Sequence, residues 1–340
     1  MSKILPENLT REHKYWRIVE MIPGLCTWAA FFLVFFGSIF FPIITADLII
    51  AYTLIWVFRT FLFSYNLTKS FHYSQRAQKT NWNKLLELLE NPEKLSSEAD
   101  TSFDSLILGT QKGSFIENFQ KQIVELQAGN NYLKPSEVTH CITLCNANES
   151  YEVIKTSVES YVKNNFDLKK VILILACEEA FKEQSEATFK LLHKEYGHHF
   201  KDFFATFHPP NLPDELKGRA GNATWSAKRL KEYLDKHQLD YNKVILSSFD
   251  ADTVISPSFL SELTFRYCIT PNRIEVGYQP VPFYHNNIWD VPVFNRLVAI
   301  SCSFWQVSVS LRKDENKSFS SRSMSFQSVL DFGYWDARVV

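Results

Sequence analysis

The sequence is poor in glycine and has almost no net charge. Only 10 of its 340 residues are Gly, against 29 Phe. No Gly-rich loop of the kind that cradles phosphate groups occurs, so any nucleotide would have to be bound in another way. The 36 basic and 37 acidic side chains leave a net charge of −1. This balance gives no bulk attraction for nucleic acid, which is therefore not expected as a partner.

Cysteine is scarce as well. The 6 Cys residues form no C-x-x-C pair and are too few for a disulfide scaffold. We expect them to be reduced, small apolar residues, as is typical of a chain whose soluble part stays in the cytosol. The chain is 46% hydrophobic and 15% aromatic, which excludes a disordered or collagen-like protein.

Charge is missing altogether from residues 21–46. A second apolar run, residues 48–65, follows Asp47 and contains one charged side chain, Arg59. Each run is long enough to cross a lipid bilayer, for which about 20 residues suffice. The pattern predicts a helical hairpin with its turn near residues 42–47. A cleaved signal peptide fits poorly, because its apolar region would be shorter and would end in a small-residue cleavage site.

The cations that flank these runs predict the orientation. By the positive-inside rule both ends of the hairpin face the cytosol, which makes the protein a multi-pass membrane protein with a cytosolic domain. The cations are Lys3, Arg11, Lys14 and Arg17 before the first run, and Arg59, Lys69, Arg76 and Lys79 at or after the end of the second. We expect residues 1–66 to form the hairpin and its flank, and residues 67–137 a juxtamembrane helix and linker.

From residue 138 onward, short apolar runs alternate with helical periodicity. This alternation predicts an α/β domain with a mostly parallel sheet, covered by helices on both faces. Ligands of such sheets bind beyond the carboxyl ends of the strands. The predicted strands are 141–147, 171–177, 203–208, 244–250 and 275–281, and the predicted helices are 151–164, 180–195, 223–237 and one that begins at Pro257.

Two acids, Asp250 and Asp252, close the fourth predicted strand. Residues i and i+2 of an extended chain lie on one face, so both carboxylates reach the same edge of the sheet. They would suit a divalent cation that keeps phosphate oxygens as further ligands. Alternatively, they cap the turn before Ser256 and Pro257, which form a suitable N-cap and N1 pair.

Other polar segments could bind an anion or a nucleoside. Lys217 and Arg219 lie just before Asn222, and cations beside a helix amino terminus can hold a diphosphate. The alternative, which the local sequence by itself favours, is a solvated basic loop with Asn222 as N-cap. The segments N-A-N-E (146–149) and C-E-E (177–179) end the first two strands. Their side chains either accept hydrogen bonds from a ligand or cap helices.

Taken in order, these segments resemble the family 2 glycosyltransferases, membrane enzymes with the A-type nucleotide-sugar-binding fold. The ordered spacing of the segments carries the resemblance, which runs from about residue 140 to the end of the sequence. The last two segments are closest to a bacterial subgroup with amino-terminal membrane helices. The segments are N-A-N-E (146–149), C-E-E (177–179), K-G-R-A-G-N (217–222), D-A-D (250–252), Y-Q-P-V-P-F-Y-H-N-N-I-W-D (278–290) and F-S-S-R-S-M-S-F-Q-S-V-L-D-F-G-Y-W-D (319–336).

The resemblance implies an inverting transfer of a sugar from a nucleotide-diphosphate donor, a UDP-sugar being the first choice, to a hydroxyl of a glycan or lipid acceptor. Such reactions build polysaccharides, glycans or glycolipids of the cell envelope. The implied donor-binding residues are Asn146, Glu149, Glu178, Lys217, Asn222 and Asp250. Asp252, with Asp250, would hold Mg²⁺ or Mn²⁺. The acceptor or sugar side would comprise Gln279, Trp289, Asp290, Ser320 and Trp335, and aromatic side chains including Phe249 would form sugar-facing walls.

The chain departs from the family pattern in several places. The family's base is the Asp of a Glu-Asp pair that follows a segment like G-Y-W-D-A-R-V-V, so we expect the catalytic residue beyond Val340 and the domain over 138–340 to be incomplete. The first strand lacks the usual Pro, the second ends in Glu where Asp is common, and Q-x-x-R-W, typical of processive synthases, is missing.

Two other classes stay open. One is a nucleotidylyltransferase that makes sugar nucleotides, although such enzymes usually need a Gly-rich amino-terminal loop. The other is a catalytically inactive membrane platform with the same fold.

Overall fold

The structure is a computed structural model that describes residues 10–93, 115–213, 215, 218–284, 286, 288–312 and 321–336. The chain divides into two compact units, Met1–Asn66 and Leu67–Val340. The described part of the first unit is helical, and the second unit is an α/β domain. The prediction of an α/β class with a mostly parallel sheet is confirmed.

Two long apolar helices follow one another at the amino-terminal end. Helix α1 spans Thr10–Phe40 and α2 spans Pro42–Lys79. The stretches Arg17–Phe40 and Pro42–Lys79 are long and apolar enough to cross a membrane, judged by length and composition. Both helices belong to the region in which the sequence predicted bilayer crossings.

A single residue, Phe41, separates the two helices. The predicted turn over residues 42–47 is wrong, because Pro42 has the fixed φ suited to the first position of a helix and already begins α2. Close packing marks the bend: a Cβ added to Gly37 would lie 2.6 Å from Thr45 Oγ1. A larger residue at position 37 would therefore force the Thr45 side chain to shift.

The second unit is built around one sheet. Within the described residues it has six strands in the order β3-β2-β1-β4-β6-β5. The first four are parallel, whereas β6 runs antiparallel to both β4 and β5. The strands are β1 (Thr139–Asn146), β2 (Val171–Glu178), β3 (Asp202–His208), β4 (Val244–Asp250), β5 (Gly277–Tyr278) and β6 (Arg322–Ser325).

Helices connect and cover these strands. Helices α5 and α6 pack on one face of the sheet around Leu144, Leu175 and Phe249, whereas α7 and α10 pack on the other face around Ile174 and Leu246. The helices of this unit are α3 (Trp82–Glu90), α4 (Phe115–Ala128), α5 (Tyr151–Val162), α6 (Lys182–Tyr196), α7 (Arg219–Lys236), α8 (Phe259–Ile269), α9 (Val293–Val309) and α10 (Phe326–Asp331).

Helices α3 and α4 form a further part of the core. They come from the region expected to be a juxtamembrane helix and linker, of which residues 94–114 lie outside the described residues. Trp82 and Leu85 of α3 and Phe119 of α4 are buried against Phe265 of α8. The described part of residues 67–137 thus belongs to the α/β unit.

Several boundaries differ from the predictions. Helix α7 begins at Arg219, four residues before the predicted start, and its N-cap is Gly218 instead of Asn222. The N-cap of α8 is Ser258, so the predicted Ser256 and Pro257 cap is wrong. Strand β5 is reduced to two residues, because the prolines that follow, such as Pro280, lack the N–H that a sheet ladder needs.

Candidate functional site

The site lies where the parallel strands end. Strand β1 pairs with β2 on one side and with β4 on the other. The chain passes from β1 to β2 and β3 on one side, whereas β4 starts the other half of the sheet. Such a switch point opens a crevice at the carboxyl ends of the strands, where ligands of α/β sheets bind. The strands end in polar side chains: Asn146, Glu178, His208 and Asp250. Because these four strands are parallel, their carboxyl ends lie at one edge of the sheet.

Asp250 is held by an arginine from the neighbouring helix. Arg219 is the first residue of α7, and its Nε lies 3.0 Å from Asp250 Oδ1. The two groups form an ion pair, but the N–H is not aligned for a hydrogen bond. Its Nη2 donates to Ser248 Oγ over 3.3 Å. Since Ser248 and Asp250 alternate onto one face of β4, a single guanidinium reaches both. The pair is partly exposed, so it positions the carboxylate more than it stabilises the fold.

Asp252, the second acid, lies in the turn after β4 and is exposed. Desolvation raises the pKa of Asp252, and the negative charges of Asp250 and Glu149 raise it further. Carboxylates that repel one another in this way are stabilised when a cation lies between them.

The donor set of this edge fits a divalent cation in part. Two carboxylates supply hard oxygens, the ligands that Mg²⁺ and Mn²⁺ prefer. Within the described residues no group of three or more His, Cys, Asp or Glu side chains is arranged to hold a metal. A metal bound by Asp250 and Asp252 would therefore take its remaining ligands from water or from a substrate such as a diphosphate.

A second arginine approaches the same place from β6. Arg322 lies directly opposite Ser248 in the antiparallel ladder, and opposed residues project from the same face of a sheet. Its guanidinium lies 6.0 Å from the ring centre of Trp335. Burial lowers the pKa of Arg322, and the charge of Arg219 lowers it further. Two guanidinium groups thus converge beside Ser248, an arrangement that favours anions.

A buried histidine joins the ends of β2 and β3. His208 Nδ1 lies 3.0 Å from Glu178 Oε2, and its Nε2 lies 2.9 Å from Glu215 Oε2. A Cβ added to Gly221 of α7 would lie 3.1 Å from His208 Cε1 and 3.2 Å from Glu215 Oε2. The absence of a side chain at Gly221 therefore lets α7 close onto this triad. Glu178, expected to contact a nucleoside, is engaged here by His208.

Asn146 and Glu149 organise the loop that follows β1. Asn146 is buried, and its Oδ1 accepts the backbone N–H of Glu149 over 3.0 Å. Glu149 Oε2 in turn accepts the N–H groups of Ala147 and Asn148 over 2.7 and 3.1 Å. These contacts fix the loop against the site and leave the Glu149 carboxylate close enough to act on the pKa of Asp252.

Asn222 lies inside α7 and points to the sheet. Its Nδ2 donates to the carbonyl oxygen of Ala176 in β2 over 2.9 Å. This bond anchors α7 across the ends of the strands, so the described role of Asn222 is to position the helix. Lys217, expected to approach a diphosphate, lies outside the described residues.

The residues expected on the acceptor side are distributed over several elements. Gln279 Nε2 donates to Ser321 O over 2.7 Å and so joins the end of β5 to β6. Trp289 is exposed and has Arg296 above its ring at 5.3 Å. Trp335 accepts a hydrogen bond from Thr224 Oγ1 at its carbonyl oxygen. Asp290 ends a short 3₁₀ helix, Ile288–Asp290, and nothing is described of its side chain; Ser320 lies outside the described residues.

One expected wall residue belongs to the core. Phe249 is fully buried and packs on Tyr161 and Phe259, so the prediction that it faces a sugar is wrong. Alternation along β4 explains the error: Ser248 and Asp250 point to the α7 face, whereas Phe249 points to the α5 face.

Comparisons with known proteins assign no function to this site. No protein-family model matches the chain, and no curated protein matches it either.

The sequence indicated Arg219 as a cation that could hold a diphosphate, but not its pairing with Asp250, which depends on the early start of α7. Other members of the site were missed. Arg322 was missed because it belongs to a short polar strand. His208 and Glu215 were missed because their partner, Glu178, lies on the neighbouring strand and is far away in sequence.

Proposed function

We propose that this protein is a membrane-anchored, inverting glycosyltransferase with the A-type fold, which transfers a sugar from a nucleotide-diphosphate donor to an acceptor hydroxyl. The observation that carries the proposal is the edge at the switch point, where Arg219 pairs with Asp250 and the charges of Asp250 and Glu149 act on Asp252. Acids and arginines side by side suit a ligand that is itself a metal-bound anion. The ordered sequence segments that resemble family 2 glycosyltransferases support the same conclusion.

In this proposal the two acids of D-A-D hold Mg²⁺ or Mn²⁺. The metal, when bound, would neutralise charge on the diphosphate as it leaves the sugar. Asp252 is the more accessible ligand, because Asp250 is already paired with Arg219. Desolvation and the negative charges of Asp250 and Glu149 raise the pKa of Asp252, and a bound cation would relieve this repulsion.

Arg219 and Arg322 would hold the diphosphate itself. Guanidinium groups bind phosphate oxygens through two parallel N–H donors, and these bonds strengthen where water is excluded. Ser248 positions Arg219, and the ring of Trp335 lies beside Arg322. Such fixed positive charge helps most in the step in which the leaving group gains charge.

Calorimetric titration of the full chain with UDP and Mn²⁺ tests the proposal. We expect metal-dependent UDP binding that Asp252→Asn abolishes and that Arg219→Gln weakens about tenfold, equivalent to about 1.4 kcal/mol. Arg229→Gln is the matched control, because Arg229 lies on the same helix but pairs with Glu232 on its exposed side. Unchanged affinity in Asp252→Asn would overturn the metal assignment.

A second measurement separates the proposal from the remaining classes. Incubation with UDP-sugars should release UDP, whereas a nucleotidylyltransferase would consume UTP with a sugar phosphate and release pyrophosphate. Binding of UDP-sugars by the protein without any turnover would indicate a non-catalytic platform. Either of these two results would contradict the proposed activity.

A further inference from the structure

Helix α9 presents a broad apolar face that no described residue covers. Seven large apolar side chains of this helix are each between 37% and 81% exposed. They are Val293, Phe294, Leu297, Val298, Ile300, Phe304 and Trp305. Monomeric soluble proteins rarely expose a continuous apolar surface of this kind, which usually marks a binding surface.

Helical geometry places these side chains on one side of α9. Each residue turns the helix by about 100°, so the seven positions fall within one continuous arc, with Ser301 at its centre. Asn295 and Cys302 lie beyond one edge of that arc. On the remaining side, the helix is fixed to the domain: Ser303 Oγ accepts the N–H of Tyr284, and Gln306 donates to the Tyr284 hydroxyl.

The chemistry of the arc fits a lipid surface better than a protein partner. Protein interfaces carry about one hydrogen bond per 100–200 Å², whereas Ser301 is the one exposed polar side chain within this arc, since Ser308, at nearly the same angle further along the helix, is buried. No acidic residue occurs in Val293–Val309, and its one cation, Arg296, lies over the ring of Trp289. An apolar face with aromatic residues and a cation but no acid is typical of helices that lie in a membrane interface.

The same chain carries two helices long enough to cross a bilayer. We propose that the apolar face of α9 is a membrane-docking surface, inserted into the headgroup region of a lipid bilayer with the helix axis parallel to the membrane plane. At 17 residues, α9 is about 25 Å long and is held by the domain along one side, so it lies on the membrane and does not span it. This inference does not depend on the proposed reaction.

Two adjacent residues provide the test. The first full-length variant carries Cys26→Ser, Cys302→Ser and Ser301→Cys, so its label lies at the centre of the apolar arc. The second variant carries Cys26→Ser alone, so its label lies on the native Cys302, at the polar edge. The chain is reconstituted into phosphatidylcholine and phosphatidylglycerol vesicles, and each cysteine is spin-labelled. The parent without both cysteines measures any labelling of the half-buried Cys145.

The collision rates of the label with oxygen, which concentrates in lipid, and with a water-soluble nickel chelate are compared by electron paramagnetic resonance. We expect the oxygen-to-nickel ratio to be several-fold higher at position 301 than at position 302. Equal ratios at both positions would overturn the proposal, because the face would then be in water. Protection of position 301 from both reagents, with label-to-label distances between copies, would overturn it in favour of a second copy.

Discussion

Asp252 favours the proposed binding of a metal but lowers the stability of the folded protein. Its carboxylate adds negative charge next to Asp250 and Glu149, and this repulsion together with desolvation raises its pKa. Functional sites often keep such unfavourable charge because a ligand compensates it. A capping acid would behave differently, since its loss would weaken the fold.

We predict that Asp252→Asn stabilises the metal-free protein at neutral pH. The gain should be at most about 1 kcal/mol, because the side chain is exposed and solvent screens the repulsion. The folded pKa lies above the unfolded pKa, so the destabilisation by Asp252 develops as pH rises through that window and persists above it. Chemical denaturation at several pH values without metal measures the difference between variant and parent.

That difference should fade as pH falls through the unfolded pKa of about 3.9, well below which the carboxyl group is protonated in both states. Asp235→Asn is the control, because Asp235 is paired with Lys231 and its loss should leave stability unchanged or lower. A destabilised Asp252→Asn protein would identify Asp252 as a structural cap.

His140 is a second residue with a clear electrostatic consequence. It is fully buried in β1, and burial lowers its pKa to about 3. The Thr264 hydroxyl donates to the carbonyl oxygen of Leu260, so it must accept from His140 Nε2, which lies 2.7 Å away. The neutral ring therefore carries its proton on Nε2.

We predict that this histidine makes the protein acid-sensitive. Between about pH 6.5 and pH 3 the unfolded chain binds a proton that the folded chain does not, so stability falls as pH falls. One pH unit below 6.5, the loss should reach about 1.4 kcal/mol. Denaturant unfolding between pH 7.5 and 5 measures it. In His140→Leu this part of the pH dependence should vanish, and an unchanged slope would contradict the assignment.

Helix α3 shows how a short helix from the amino-terminal side joins the domain. The sequence predicts a juxtamembrane helix in this region, and the buried residues of α3 are Trp82, Leu85, Leu88 and Leu89. What the sequence could not tell was the surface they cover. Trp82 packs on Phe265 of α8 and donates its indole N–H to the carbonyl oxygen of Ala77 over 2.8 Å.

We predict that Trp82→Ala destabilises the α/β unit by about 3–5 kcal/mol, the usual loss for a large buried aromatic side chain. The measurement is the denaturant midpoint of the full chain, followed by a probe in the sheet such as protection of β2 amides from hydrogen exchange. Val124→Ala, at an exposed position of α4, should change the midpoint little. If only local protection near α3 were lost, α3 would be a separate appendage.

Some strands and helices could be predicted from the sequence and others could not, for physical reasons. Strands β1, β2 and β4 were found because strands buried on both faces appear as continuous apolar runs. Strand β6 was not predicted, because its sequence Arg-Ser-Met-Ser is mostly polar and it becomes a strand only by pairing with β4. The start of α7 was placed too late because Gly218 caps it without the side-chain hydrogen bond that a sequence pattern would reveal. Side-chain pairs across strands, such as Glu178 with His208, require the register of the sheet.

For the whole molecule, the arrangement of charges predicts which compartment each part faces. The proposed orientation puts the α/β unit in the cytosol and the bend at Phe41 on the opposite side of the membrane. Cys302 of α9 and Phe41 are both exposed, so each position can report its own compartment.

We predict that a membrane-impermeant maleimide added to intact cells does not label Cys302 in a Cys26→Ser background, and labels it once the membrane is opened. A Phe41→Cys variant that also lacks Cys302 is the matched control, and it should react in intact cells. Labelling of Cys302 from outside would reverse the orientation and place the proposed nucleotide site in a compartment without nucleotide sugars.

The one-residue junction at Phe41 has a consequence for how such a protein enters a membrane. With both helices in the bilayer as proposed, almost no hydrophilic chain has to be carried across, and the two helices can insert together as one unit. Little more than a helical bend then remains on the far side of this hairpin. Extracellular proteases, antibodies and ligands would find almost nothing to recognise at this junction.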